Sequence, residues 1–338
     1  LSGWAVEARI YAEDPARGFL PSSGRIDIFR PPAETIAQGV TVRVDTGLVE
    51  GGSVPIHYDP MIAKLITHAP TRSEAIAAQA EALDRFAIGG VRHNLSFLSQ
   101  LMALPRWQEG RLSTGLIVEE FGEAAEEVPP DAALAPRLVA IVAANAHRRA
   151  AARQARPGRA GAADAARVVV LGGQDWPVET RGTADGAVAV MFADGARLVV
   201  ESGWQAPDPV WTGAVDGQAM SLQIGRAGDG QALRHGGTVT TAQVWAPRTL
   251  ELSRLMPQGV RVLEGSLLRA PMPGVLARLL VADGDAVPAE APLVVIEAMK
   301  MEMVLKSPVA GRVTEIRAQA GDMLASDAPI LRILPLGG

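Results

Sequence analysis

The 338 residues contain no cysteine. That excludes disulfides, a thiolate metal site and a cysteine nucleophile, and it fits a reducing compartment. The five histidines, His57, His68, His93, His147 and His235, are scattered without the spacing of metal ligands, so solvent-exposed or hydrogen-bonded roles are expected for them. A large excess of one charge is also missing. A formal charge of −5 over this length argues against nucleic acid or an anionic membrane as the main partner. No apolar run approaches the roughly 18 residues that a membrane-spanning helix needs. Neither a Walker pattern nor a Gly-x-Gly-x-x-Gly fingerprint is found. The first residues, Leu1-Ser2-Gly3-Trp4, are neither a start methionine nor a signal peptide, and they read as though cut from the middle of a longer protein. Asn94-Leu95-Ser96 matches a glycosylation sequon, a chance match in a chain without a secretion signal.

What is there begins with hydrophobic content. At 48%, it allows sizeable cores in two or three domains. The most informative stretch is Ile296-Glu297-Ala298-Met299-Lys300-Met301-Glu302-Met303, a lysine between two methionines with an acid beyond each. Leu293-Val294-Val295-Ile296 precedes it and Val304-Leu305 follows, and two short apolar runs this close predict a hairpin displaying Lys300. A repeat surrounds it. Pro271-Met272-Pro273-Gly274 recurs as Pro308-Val309-Ala310-Gly311, an offset of 37 residues (271 to 308). The same offset carries Gly284-Asp285 onto Gly321-Asp322, Ala291-Pro292 onto Ala328-Pro329, and Leu293-Val294 onto Ile330-Leu331. Each half reads strand, Gly-Asp turn, strand, too short to bury a core alone. Two halves facing each other across an approximate two-fold can do so, with Lys300 at their junction.

The first 120 residues read as α+β, with the strands first. Strands are expected over Ala5–Ala12, Arg25–Phe29, Val40–Val44 and Ser53–Tyr58. A helix is expected over Thr71–Phe86, with Ala75, Ile76, Ala80, Leu83 and Phe86 available for one face and Thr71 and Glu74 at capping-box spacing. A second is expected over Asn94–Met102. An acidic, proline-bearing stretch through Glu126-Glu127-Val128-Pro129-Pro130 reads as a linker. Asp131 then opens a helix to about Gln154, in which Leu134, Leu138, Ile141 and Val142 form a core stripe. Arginines gather towards its C-terminal end, where the helix dipole favours them. Beyond it come short β-rich runs: Arg167–Leu171, Trp176–Arg181, Ala187–Phe192, Ala196–Glu201, Gln218–Ile224 and Thr238–Trp245. Asp185-Gly186, Asp194-Gly195, Asp216-Gly217 and Asp229-Gly230 mark hairpin turns. One helix beside many antiparallel strands predicts a barrel wrapped around the helix.

Glu297-Ala298-Met299-Lys300-Met301-Glu302 within its two-fold repeat resembles the biotin carboxyl carrier domain of biotin-dependent carboxylases. The resemblance implies biotin in amide linkage to the Lys300 ε-nitrogen, with Met299 and Met301 as adaptable flanks that fill the turn and fit a ligase pocket. The lipoyl domain shares the two-fold design, but typically has an acid before its lysine and a small residue after it. Glu7-Ala8-Arg9-Ile10-Tyr11-Ala12-Glu13-Asp14-Pro15, Gly18-Phe19-Leu20-Pro21 and Tyr58-Asp59-Pro60-Met61-Ile62-Ala63-Lys64-Leu65 resemble the C-terminal subdomain of biotin carboxylase. That resemblance places Arg9 beside bicarbonate and biotin, where a permanently charged planar guanidinium suits an enolate oxyanion; Asp59 could orient it or simply shape a turn. Asp194-Gly195-Ala196-Arg197-Leu198-Val199-Val200 with Trp204, and Thr249-Leu250-Glu251-Leu252-Ser253-Arg254-Leu255-Met256-Pro257, resemble the α subunits of propionyl-CoA carboxylases. Trp176, Trp204, Trp211 and Trp245 suit either core or interface.

The expected fold is therefore multidomain and mainly β with α+β. Residues 1–120 would be the carboxylase subdomain, 121–133 a linker, 134–262 a subunit-contact barrel around a central helix, and 266–336 a flattened two-fold carrier barrel. The resemblance implies a cycle in which biotin is carboxylated with bicarbonate, ATP and Mg2+, and the arm then visits a carboxyltransferase β subunit, where propionyl-CoA is carboxylated. It implies biotin protein ligase and other α subunits of a large hetero-oligomer as partners, in the cytoplasm of a bacterium or the mitochondrial matrix. The ATP-grasp part is expected to precede residue 1, so this stretch alone should not carboxylate biotin. A 3-methylcrotonyl-CoA or other short acyl-CoA carboxylase is an alternative within the class. A non-catalytic biotin carrier and scaffold is an alternative outside it.

Overall fold

A computed structural model describes every residue except 1, 38, 56–58, 123, 155–164, 257–265, 299–300, 326 and 336–338. The chain divides into two compact units. The larger holds residues 1–20, 25–53 and 61–256, and the smaller holds 21–24, 54–60 and 257–338.

The larger unit opens with a four-stranded antiparallel sheet of β1 (Trp4–Tyr11), β2 (Thr35–Ala37), β3 (Val40–Thr46) and β4 (Met61–Ala69), in the order β1-β4-β3-β2. Alternation sorts its faces. Val6, Ala8, Ile10, Ala63 and Leu65 are buried, while Glu7, Arg9 and Arg43 are exposed. Helix α1 (Arg72–Asp84) packs on the buried face. Its capping box forms as its sequence predicts: the Glu74 N–H donates to the Thr71 hydroxyl, and the Thr71 N–H donates to the Glu74 carboxylate at 3.0 Å. Ala80 is only half-buried. Gln79 instead goes fully inside, because its carboxamide bonds to the Thr67 hydroxyl at 2.9 Å and donates to the Leu65 carbonyl at 3.2 Å. The strand expected over Arg25–Phe29 is broken into Gly24–Arg25 and Ile28–Arg30, and the one expected over Ser53–Tyr58 is seen only at Ser53–Val54, with 56–58 outside the described residues. Helix α2 (Leu95–Ala103) follows.

The Asp131 carboxylate accepts from the N–H groups of Ala133 and Leu134 at 2.9 and 2.7 Å, and α3 (Leu134–Gln154) starts there. From Leu138 to Ala144 every residue is at most 1% exposed. An apolar stripe was expected; burial on all sides is found, and it requires a sheet closed around the helix. Eight strands supply it: β5 (Ala165–Leu171), β6 (Gln174–Gly182), β7 (Val188–Phe192), β8 (Arg197–Glu201), β9 (Val210–Val215), β10 (Gln218–Ala227), β11 (Gly230–His235) and β12 (Thr238–Trp245). Each pairs with the next and β12 returns to β5. Strands β9 and β11 were not foreseen, since Thr212-Gly213-Ala214 and Gly230-Gln231-Ala232 carry little alternation. The Asp216-Gly217 link joining β9 and β10 has φ of 49° and 73°, the left-handed pair of a tight hairpin. A final helix, α4 (Pro247–Leu255), leaves Leu252 and Leu255 exposed.

In the smaller unit two four-stranded sheets enclose one core. One orders β13 (Ser266–Arg269), β20 (Pro329–Pro335), β18 (Gly311–Thr314) and β15 (Ala286–Val287). The other orders β17 (Met301–Lys306), β16 (Pro292–Ala298), β14 (Gly274–Leu279) and β19 (Met323–Leu324). The 37-residue offset maps the first list onto the second strand by strand. The turns match as well: Gly284 and Gly321 have φ of 89° and 95°, and Glu290 and Asp327 both have φ 63°. Asp285 and Asp322 each accept a backbone N–H, from Ala282 and Gln319, at 2.8 Å. The internal repeat is thus a structural two-fold.

Candidate functional site

Two places carry the residues singled out in the sequence. In the smaller unit, β16 buries Leu293, Val294, Val295 and Ile296 at no more than 2% exposure and then releases Glu297 to solvent. Its ladder with β17 runs Val294–Leu305, Val295–Val304, Ile296–Met303, Glu297–Glu302 and Ala298–Met301. Met299 and Lys300, the two residues between the strands, lie outside the described residues, as does the Met301 side chain. The base of the ladder is held tightly. A Cβ on Gly274 would stand 2.7 Å from the Glu297 carbonyl oxygen, so only glycine lets β14 approach β16 so closely. Glu297 and Glu302 face each other with like charge, an unfavourable pair. Arg278 meets Glu302 at 3.2 Å, exposed enough to offset this only in part.

These features fit a lysine-linked prosthetic arm. The strands pair up to Ala298 and Met301, and the acids on both sides are exposed, so an acylated lysine in the connection starts from a fixed base and adds no buried charge.

In the larger unit, Arg9 lies on the exposed face of β1, opposite Lys64, with Asp45 next across the sheet. Its Nε donates to the Glu7 carboxylate at 3.1 Å. That hydrogen bond first, then Tyr11 and the Glu7 charge, holds the guanidinium above the usual arginine value, so it stays a cation. Arg43 grips Asp45 through two bonds of 2.7 Å and keeps that carboxyl below the usual aspartate range. Asp59 is exposed and belongs to the smaller unit, while Arg9 belongs to the larger. The carboxylate bonded to Arg9 is Glu7, which sequence reasoning passed over. Its spacing of two residues along one strand, which places both side chains on the same face, was the available signal.

Asn94 was passed over too, as a sequon. It is 3% exposed with its carboxamide bonded to β1, so no glycan can be attached to it in the folded chain. Three of the described histidines make contacts within the fold. His68 bonds to the Ser2 carbonyl at 2.9 Å, and the buried His147 lies 3.3 Å from the Thr180 hydroxyl. Burial, helped by the Arg234 charge, pushes His93 down to about 4, which leaves it neutral near pH 7. His235 joins the first segment to the barrel: its Nδ1 lies 2.8 Å from the Asp84 carboxylate and 2.8 Å from the Ser221 carbonyl. Asp84 also accepts the Gly236 N–H at 2.8 Å, and Gln223 donates to the Leu83 carbonyl at 3.2 Å. His57 lies outside the described residues. Among the described residues, no group of three or more acids and histidines is placed to hold a metal ion, and no helix is long and apolar enough to cross a membrane.

Three family models match in succession. Residues 7–119 match the biotin carboxylase C-terminal domain, 138–258 the propionyl-coenzyme A carboxylase BT domain, and 266–333 the biotin-requiring enzyme domain. The chain is 42% identical to the propionyl-CoA carboxylase alpha chain of Ruegeria pomeroyi over 98% of its own length and 51% of that protein's. It is 32% identical to the mitochondrial propionyl-CoA carboxylase alpha chain of Homo sapiens, covering 95% of this chain and 45% of that one. The mitochondrial methylcrotonoyl-CoA carboxylase subunit alpha of Arabidopsis thaliana is 27% identical, over 98% of this chain and 50% of that one. The chain spans about half the length of the curated relatives it matches. Three matched domains in one order, and likeness to propionyl-CoA carboxylase alpha chains along nearly its whole length, are what the chain shares with the α subunits of the biotin-dependent acyl-CoA carboxylases.

Proposed function

We propose that Lys300 is the biotinylated residue, flanked by Met299 and Met301. On this reading the chain is the C-terminal part of an α subunit that carries carboxyl groups from a biotin carboxylase site to a carboxyltransferase β subunit. The observation that carries the reading is the β16–β17 ladder. It pairs up to Ala298 and Met301 at one end of a two-fold carrier fold and leaves the lysine in a two-residue connection. Bound there, biotin supplies a ureido nitrogen able to take up and give back a carboxyl group. The protein supplies a rigid base and, by acylation, a lysine without charge.

The acceptor is read as propionyl-CoA, with methylmalonyl-CoA as product. Its support is the BT-domain match and the higher identity to propionyl-CoA carboxylase alpha chains than to the methylcrotonoyl relative. Arg9 is read as the cation on the bicarbonate and biotin side of the carboxylase site, and Asp59 as its orienting partner. ATP, Mg2+ and the general base belong to a region outside these residues, so the 338-residue chain alone should be a carrier and scaffold without biotin carboxylase activity. The segment boundaries read above (1–120, 121–133, 134–262 and 266–336), a biotin protein ligase that loads Lys300, and assembly with further α subunits belong to the same proposal.

The test of the acceptor is reconstitution of the whole α subunit with its β subunit, offering propionyl-CoA and methylcrotonyl-CoA in competition. Propionyl-CoA is expected to be carboxylated with the higher kcat/KM; preference for methylcrotonyl-CoA would overturn the choice. Biotin- and bicarbonate-dependent ATP hydrolysis by the isolated chain would overturn the carrier reading of the fragment.

A further inference from the structure

Strand β1 is the end strand of its sheet, and its register with β4 shifts between Ile10 and Tyr11. A strand end in this position leaves backbone donors and acceptors to be satisfied elsewhere. One side chain satisfies several of them. The Oδ1 of Asn94 accepts the Tyr11 N–H at 3.0 Å, and its Nδ2 donates to the Arg9 carbonyl at 3.2 Å and to the Glu13 carboxylate at 3.0 Å. The Asn94 N–H donates to the Tyr11 carbonyl at 3.2 Å. A carboxamide carries the donor and acceptor of a peptide unit on one planar group, so Asn94 stands in for a neighbouring strand at Arg9 and Tyr11.

Asn94 is itself fixed. It sits at the head of α2, where its carbonyl accepts the Leu98 N–H at 2.9 Å, and Leu95 beside it is 1% exposed. Every bond of the clamp falls on the backbone beside Arg9 or on Glu13; none reaches the exposed face that Arg9 presents. Such a clamp sets where the Arg9 Cα lies and how its side chain leaves the sheet, without meeting anything bound there.

We propose that Asn94 is a positioning residue for biotin carboxylation: it fixes the backbone from which Arg9 projects. This rests on the reading of Arg9 given above. Displacement of a charged donor by a fraction of its reach weakens oxyanion stabilisation steeply. Aspartate cannot replace the asparagine, because it cannot donate to the Arg9 carbonyl and would face the Glu13 carboxylate.

In the whole α subunit, Asn94→Ala is expected to lower kcat for biotin-dependent ATP cleavage about tenfold to a hundredfold, with KM for ATP unchanged. Arg9→Ala and Arg9→Ala/Asn94→Ala should share one residual rate, since the clamp acts only through the arginine. A readout independent of turnover is exchange of the Tyr11 amide hydrogen, which should accelerate in Asn94→Ala. An equal fractional loss from Asn94→Ala with and without Arg9 overturns the proposal, and so does an unchanged Tyr11 amide. Wild-type turnover by Arg9→Ala defeats the reading of Arg9, and the proposal with it; faster Tyr11 exchange in Asn94→Ala would show that the fault lay with Arg9 and not with the clamp. If Asn94→Ala does not fold, Asn94→Asp/Glu13→Gln keeps the Tyr11 acceptor and removes the donor to Arg9. Turnover should then fall with the Tyr11 amide still protected, and undiminished turnover overturns the proposal.

Discussion

Gly274 and Gly311 occupy equivalent positions in the two halves of the smaller unit, and both lack a side chain for the same reason. A Cβ on Gly274 would stand 2.7 Å from the Glu297 carbonyl oxygen, and one on Gly311 would strike the Leu334 carbonyl oxygen; Glu297 and Leu334 are themselves related by the repeat. Gly274→Ala is therefore expected to cost about 1–3 kcal/mol by forcing β14 and β16 apart, read as a lower midpoint in chemical unfolding followed by a probe in the smaller unit. An unchanged midpoint would mean that the two strands can separate freely there. The recurrence of these glycines was legible in the sequence. Their cause was not, because it needs the register of two strands, and registers cannot be read off one segment. Asn94 shows the same limit: its contact with Arg9 crosses 85 residues of chain. As an isolated tripeptide it reads only as a sequon.

At the scale of elements, the middle of α3 from Leu138 to Ala144 is at most 1% exposed, and Ile141 is fully inaccessible within it. Ile141→Ala should cost about 2–5 kcal/mol, measured by denaturant unfolding; a loss below about 1 kcal/mol would contradict a tightly closed barrel. The helix, its Asp131 cap and six of its eight strands were legible from periodicity and Asp-Gly turns. Strands β9 and β11 were not, since glycine and alanine blur their alternation. The join between α1 and the barrel is electrostatic and depends on pH. Burial opposes a charged His235 and so does the Arg137 charge, but the Asp84 hydrogen bond and charge, with the Ser221 carbonyl, outweigh them and raise its pKa. A raised histidine pKa stabilises the fold fully below the unfolded value of about 6.5, and the contribution fades as pH rises through the higher folded value. His235→Gln is expected to remove about 1–3 kcal/mol at pH below about 6 and less at higher pH. Unfolding midpoints across a pH series check this, and a loss that grows with pH would have the wrong sign.

At the scale of the whole molecule, the three segments recognised in the sequence are those that the family models match, in the same order. The carrier was the most legible because its evidence is redundant: a lysine motif, a 37-residue repeat and a strand-by-strand two-fold all point to one arrangement. The carboxylase subdomain was legible through local blocks such as Glu7–Pro15, while the bonds from Asn94 to the backbone of Arg9 and Tyr11 were hidden in long-range contacts. The central claim is that Lys300 bears biotin. Its most direct test is intact mass and avidin capture of the chain co-expressed with a biotin protein ligase, alongside Lys300→Ala. The parent is expected to gain one biotinyl group and bind avidin, and the variant to do neither; capture of the variant, or an unmodified parent, would contradict the account.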